Sequence, residues 1–375
     1  MPSVDQITAR VLSGENAMSI GGAYRMVERL PPNHEIFNQE FPKILRFVAE
    51  VEQLCDEYFE SQAKERTTNY EDIAYVARQV ADGLTSEYEN PALLPLNRQF
   101  GAAAGRSLYD LKNIASASAD YVDDIVRSLL GKPAQAFDHL TAIVDAIRDD
   151  SVGELTIATL NHDVVLERAF AFAGVKISDG FEKTFGTLEI WNDQFSTPNR
   201  KLLKLHGSID WWRFTLNVDG WEGQFTARAS DGDAEHARGL DGELLDYPAM
   251  GRPLFLTGTF NKILSYRSGI YADQHYRFHE ALMTADALVV IGYGFRDKAI
   301  NSRIVAWAER PGERRMIVVH PRPEGFGETG RGAIRNNWAR WQNRGLLAFV
   351  REYLTPETTW ASMRDALQPD ARPSP

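Results

Sequence analysis

The chain has 375 residues, 43% of them hydrophobic and 25% charged, with a formal net charge of −11. That length fits two or three units, or one large α/β domain with an insertion. The acidic balance argues against broad electrostatic binding to nucleic acid or an anionic membrane, and no apolar run nears the ~20 residues of a membrane span.

The opening MPSVDQITAR has neither the basic end nor the apolar run of a signal peptide, so a cytoplasmic location is expected. RVLSGENAMSIGGAYRM reads as a strand, a glycine turn and a helix, and 1–40 is taken as the start of a nucleotide-binding fold. From 41 to about 150 the pattern is that of a helical subdomain. FPKILRFVAEVEQLCDEYF sets Ile44, Phe47, Val48, Val51 and Leu54 at helical spacing, and YEDIAYVARQVADGL does the same with Ile73, Val76, Val80 and Leu84. After a PALLPLN break, GRSLYDLKNIASASADYVDDIVRSLLG and AFDHLTAIVDAIRDD read as two more helices. The only cysteine, Cys55, lies in the first of these helices. One cysteine excludes an internal disulfide and a cysteine-based zinc cluster.

The texture changes over 151–355. ELTIATL, KLLKLHGS, PLFLTGT, ALVVIGYG and MIVVHPR read as strands, separated by the helical stretches VVLERAFAFAG, ADQHYRFHEALMTA and DKAINSRIVAWAER. Apolar strands alternating with helices imply an α/β fold: a Rossmann-like parallel sheet with helices on both faces, joined to the large helical layer of the N-terminal half. An acidic, glycine-rich stretch from about 216 to 248 reads as an excursion, a hairpin or a mobile loop. A helix and the unstructured tail ARPSP fill 356–375.

Ligands of an open parallel sheet bind outside the carboxyl ends of its strands. Three polar motifs fall there: 161–163 after TIATL, 206–208 after KLLKL, and 292–295 after ALVVI. Gly292 and Gly294 precede a helix starting near Asp297, so backbone and helix N-terminus suit an anion, as they also suit an empty βα turn. Asp297 reads as that helix's N-cap. His206 beside Gly207 has a side chain suited to proton transfer, or a structural place at the strand end. Asn161 could orient a water or a ribose hydroxyl, or form a turn. Asp163 could support Asn161 or cap the next helix.

Other patterns fail. His275 and His279 sit four apart on a helix without a third ligand and read as a solvated face. The acidic window 231–243 has His236 where a calcium loop needs glycine. There is no GxxxxGK[ST] loop and no GxSxG elbow.

Taken in order, TLNHDVVLE, LKLHGSIDWW and VIGYGFRDKAIN resemble three segments of sirtuin-like proteins, and TTNYEDIAYVA loosely resembles a helical region of their bacterial members. The lone cysteine sets the chain apart from protein-deacylating sirtuins with a four-cysteine zinc module. It is similar to the zinc-free bacterial branch, whose members hydrolyse NAD, often in antiviral defence. The resemblance implies NAD as substrate without a metal, with Asn161, His206 and Asp163 as the catalytic set. It implies contacts to NAD from Gly14, Thr159, Gly292, Tyr293, Gly294 and Phe295. Gly14 stands for the family's glycine-rich pyrophosphate turn, although the Glu15 that follows would repel a pyrophosphate. The large helical half without a second recognisable effector domain leads us to expect a homo-oligomer or a complex with a partner protein, such as an ATPase or phage-sensing subunit. A non-catalytic sensor of NAD or ADP-ribose and a zinc-free deacylase remain as alternatives.

Overall fold

The computed structural model describes residues 2–32, 40–62, 66–84, 95, 97–98, 101, 105, 107–132, 134, 136–230, 232–246, 248, 251–258 and 266–367. Most of the expected break at 91–97, Asp231 and the tail 371–375 lie outside them. The chain divides into two compact units, 1–133 with 250–265, and 134–249 with 266–375.

The first unit is mainly helical. Helix α1 (Val4–Ser13) starts at a capping box: Ser3 Oγ accepts from Gln6 N and the Gln6 side chain accepts from Ser3 N. Ile7 and Val11, one turn apart, are its buried face. The RVLS segment expected to be a strand is therefore the end of this helix. Strands β1 (Ala17–Ile20) and β2 (Ala23–Met26) then pair as a hairpin turning at Gly21 and Gly22, where a helix was expected. Helices α2 (Phe41–Ser61), α3 (Tyr70–Asp82) and α4 (Leu108–Leu130) form the expected helical layer. Ile44, Phe47, Val48, Val51 and Ile73 are buried as the spacing requires. Leu54 is exposed. Burial pushes the half-buried Cys55 thiol up to about 11, helped by Asp72 and Asp56, so it is not a thiolate at neutral pH. The PLFLTGT segment belongs to this unit, and its described residues, 253–258, hold a single bridge residue, Phe255, in place of the expected strand. Pro253 lacks a ladder donor, and Thr257 is engaged instead by Arg78 and Asp123.

The second unit holds the parallel strands. Strands β3 (Leu155–Thr159) and β6 (Arg200–Lys204) pair in parallel, as do β9 (Ala287–Ile291), β10 (Arg315–Val319) and β11 (Leu347–Val350), in the order β11-β10-β9. The helices α5 (Thr141–Arg148), α6 (Val165–Ala173), α7 (Gly269–Thr284), α8 (Lys298–Ala308), α9 (Phe326–Thr329), α10 (Ala333–Asn343) and α11 (Trp360–Leu367) cover both faces. In β10, Met316 and Val318 pack with Trp307, Trp338 and Trp341, while Ile317 and Val319 pack with Ala142 and Met363. Burial on both faces explains why these strands are uninterrupted apolar runs.

The first part of the expected excursion, up to Ala229, is ordered: it completes an antiparallel sheet of β4 (Lys183–Phe185), β5 (Leu188–Ile190), β8 (Trp221–Ala229) and β7 (Trp212–Val218), in that order. Asp219 and Gly220, both with positive φ, make the two-residue turn between β7 and β8, whose twist suits a hairpin. Among the described residues no helix is long and apolar enough to cross a membrane.

Candidate active site

Thr159 pairs with Lys204 at the ends of β3 and β6, so the loops that follow leave side by side. Leu205 N donates to Thr159 O at 2.9 Å, and Ile209 N to His162 O at 2.9 Å. These bonds bring the TLNHD and LHGS motifs together. Asn161 N donates to Thr159 Oγ1 at 3.1 Å, which bends the loop and leaves Asn161 exposed. Asp163 Oδ1 accepts from Val165 N at 3.0 Å, closing the turn that leads into α6.

Beneath this loop lies a charge pair of a buried lysine and a half-buried glutamate. Lys204 Nζ is 2.7 Å from Glu167 Oε1 and also donates to the Asp163 carbonyl. Burial raises the Glu167 carboxyl despite the opposing Lys204 charge. The ammonium is thus fastened to the site loop on one side and to the first turn of α6 on the other.

His206 is buried just past β6. Its Nε2 lies 3.2 Å from Asp297 Oδ2 and 2.8 Å from the Tyr266 hydroxyl, which itself donates to Asp297 Oδ2 at 3.0 Å. Both partners meet the His206 ring at Nε2. Asp297 Oδ1 meanwhile accepts from Ala299 N and Ile300 N at 2.8 and 3.1 Å, capping α8. Burial would raise the Asp297 carboxyl, but bonds from His206, Ile300 and Tyr266 hold it well below the usual carboxylate range. Tyr266 also lies against His275, with ring centroids 3.7 Å apart. His275 is buried, with Nε2 3.2 Å from Leu205 O, rather than on the solvated face expected for it. On the same helix, Gln274 Oε1 accepts from Lys204 N at 3.0 Å, and its buried Nε2 has no hydrogen-bond partner among the described residues.

The turn after β9 completes the strand-end set. Gly292 has φ 66°, and a Cβ added at Gly292 or Gly294 would meet nothing within 4 Å, so both border open space. Side chains hold the turn from behind. The Tyr293 hydroxyl donates to Asn301 Oδ1 at 2.8 Å and accepts from Asp297 N at 3.2 Å; Asn301 Nδ2 donates to Phe295 O at 2.8 Å. Burial pushes the Tyr293 phenol up. The Phe295 side chain is fully buried between Phe326 and Trp338, at centroid distances of 5.1 and 5.5 Å, and its φ is 52°. In this structure the Tyr293 hydroxyl braces the turn and the Phe295 ring anchors it in the core. Gly292 and Gly294 are the open positions.

Gly14 lies in the first unit as the left-handed C-cap of α1. A Cβ there would lie 2.7 Å from Phe41 and 2.8 Å from Leu45, so close packing as well as φ requires glycine. Sequence reasoning missed Tyr266, His275, Lys204 and the second role of Asp297. Only Asp297 carried a usable signal, its place one turn after the glycines.

These features define a Rossmann-like α/β unit with its polar site along the carboxyl ends of parallel strands. A family model described as a SIR2-like domain matches residues 155–346, just over half of the chain, and the chain belongs to that family. Among solved structures, a Sir2 enzyme with an inhibitor, 2′-O-acetyl-ADP-ribose and a deacetylated peptide is 12% identical, over 57% of this chain and 73% of that one, with a TM-score of 0.27. One described as the structural basis for the mechanism and regulation of Sir2 enzymes is 14% identical, over 72% and 97%, with a TM-score of 0.32. No curated protein matches the chain.

Proposed function

We propose that this chain is an NAD hydrolase that cleaves the bond between nicotinamide and ribose, releasing nicotinamide and ADP-ribose. The observation that carries the proposal is His206 at the end of β6, its Nε2 tied to Asp297 and Tyr266, beside the exposed Asn161 at the end of β3. Membership of the SIR2-like family supports NAD as the substrate.

The C1′–N bond breaks with its electron pair going to nitrogen, so the cationic pyridinium leaves as neutral nicotinamide and needs no acid. The ribose passes through an oxocarbenium-like state. Water attacks C1′ and gives up its proton to His206, whose ring Asp297 orients and whose charge Asp297 balances. Asn161 positions that water or the ribose hydroxyls. Asp163 holds the Asn161 loop, and Thr159 its bend. Gly292 and Gly294 admit the adenosine side through their backbone. The cellular role we attach, from the family resemblance, is NAD depletion in antiviral defence, with self-assembly or a partner protein controlling it.

The test is nicotinamide release from NAD by the purified chain, with and without acylated peptide. His206→Ala should lower release by ~10²–10⁴-fold, the span of general-base catalysis. Asn161→Ala should lower it with unchanged thermal stability. Release that requires acyl peptide would point to a deacylase. Tight NAD or ADP-ribose binding without release would point to a sensor.

A further inference from the structure

We infer that the dinucleotide taken up at the 292–294 turn carries a phosphate on its adenosine 2′ oxygen, so that NADP is preferred to NAD. The inference rests on the reading that this turn binds a dinucleotide, and it concerns which one.

β9, the glycine turn, α8 and β10 form a βαβ unit with Ile291 paired to Val319. The residues that follow this last pair are Gly292 and His320, so both chains leave the sheet at the same edge. In a dinucleotide-binding unit of this kind, the second strand's end reaches the adenosine ribose. A carboxylate there accepts from the 2′ hydroxyl and repels a 2′ phosphate, whereas an arginine accommodates the phosphate.

This chain places His320-Pro321-Arg322 at that point. His320 Nδ1 accepts from Arg322 N at 3.1 Å, so the neutral ring carries its proton on Nε2 and presents a donor. The Arg322 side chain is exposed two residues beyond. The carboxylate that follows, Glu324, is 2.6 Å from Arg351. Across the turn, Arg331 N donates to Phe295 O at 3.0 Å and its Nη1 lies 3.4 Å from Arg296 O, so its guanidinium borders the turn. The ribose end is therefore met by a donor and by cations. A hydroxyl makes little of that arrangement, whereas a phosphate bearing close to two negative charges makes much of it.

Calorimetry with ADP-ribose and 2′-phospho-ADP-ribose tests the inference without turnover, because neither has a bond to nicotinamide. The phosphorylated ligand should bind about tenfold more tightly, a single charge-assisted contact. Arg322→Glu, a surface change that leaves the core intact, should erase or reverse that ratio. His320→Asp should move it the same way by restoring a hydroxyl acceptor. Wild-type nicotinamide release should favour NADP over NAD by a similar factor. Equal binding, or tighter binding of ADP-ribose, would overturn the inference while the dinucleotide reading stands. Binding of neither ligand would overturn both.

Discussion

Asp297 holds two structures with one carboxylate: Oδ1 caps α8 through Ala299 N and Ile300 N, and Oδ2 lies 3.2 Å from His206 Nε2. The helix after the glycine turn and the histidine after β6 are therefore set by the same side chain. Asp297→Asn keeps an oxygen for the cap but removes the charge that balances a protonated His206. Nicotinamide release should fall on the order of 10²-fold, with the loss in kcat rather than KM. Stability should fall by no more than about 1 kcal/mol, the worth of a cap. A loss confined to stability would make Asp297 a cap alone.

The Lys204–Glu167 pair predicts an asymmetric mutational response. Lys204→Met leaves a half-buried carboxylate without its cation and frees the Asp163 carbonyl from its tie. It should cost about 3–5 kcal/mol of stability by urea denaturation. Lys204→Met combined with Glu167→Leu should recover most of that loss, because both charges are then gone. If the double variant is no better than the single, the pair is not the source of the effect.

His275 predicts a pH dependence of stability. Burial, with the neighbouring His206 opposing a second charge, pushes its imidazole down to about 4. Arg303 acts in the same direction, while the Leu205 carbonyl and Asp297 act against it. Above the unfolded value near 6.5, both folded and unfolded states are neutral at this residue and it contributes nothing. Between there and about 4 the unfolded chain binds the proton and the folded chain does not, so stability falls as pH falls. The full loss is on the order of 3 kcal/mol. His275→Gln keeps a donor for Leu205 O and has no proton to gain. The difference between wild type and variant, measured by urea denaturation from pH 7.5 to 4, should show this slope. Parallel curves would remove His275 as its source.

The three site loops were legible because two regularities coincide. Apolar runs of five residues end in polar turns, and parallel sheets place such turns on one edge. The helical half was legible for a similar reason: Ile44, Phe47, Val48 and Val51 repeat with helical spacing and are buried. What was illegible depended on tertiary contact. The PLFLTGT run is as apolar as a strand, yet its partners are Arg78 and Asp123, far away in sequence. Tyr266 follows that run without any periodicity, and only folding sets its hydroxyl on His206. Phe295 owed its expected ligand contact to the family resemblance of its segment. Its burial depends on Phe326 and Trp338, which no local pattern links to it.

The brace behind the glycine turn gives a prediction that separates binding from chemistry. Phe295 holds φ 52°, a conformation that costs a non-glycine residue free energy and persists only when its surroundings enforce it. Its side chain is locked in the core, and its carbonyl is held by Asn301 Nδ2 at 2.8 Å. Asn301→Ala removes that donor and also one acceptor of the Tyr293 hydroxyl, leaving Phe295 O with Arg331 N and the hydroxyl with Asp297 O. The stability cost should be about 1–2 kcal/mol, the net worth of two hydrogen bonds whose groups keep other partners. The backbone of 292–294 then loses the frame that holds it open to a ligand, so ADP-ribose should bind more weakly. Asn301 meets Asp297 through its backbone N–H, a bond the substitution keeps, so kcat at saturating substrate should stay within about threefold of wild type, since catalysis responds only to contacts that strengthen in the transition state. Asn301→Asp restores the acceptor for Tyr293 but not the donor for Phe295, and should recover stability only in part. A fall in kcat as large as that of His206→Ala would show instead that the turn acts on the reacting bond.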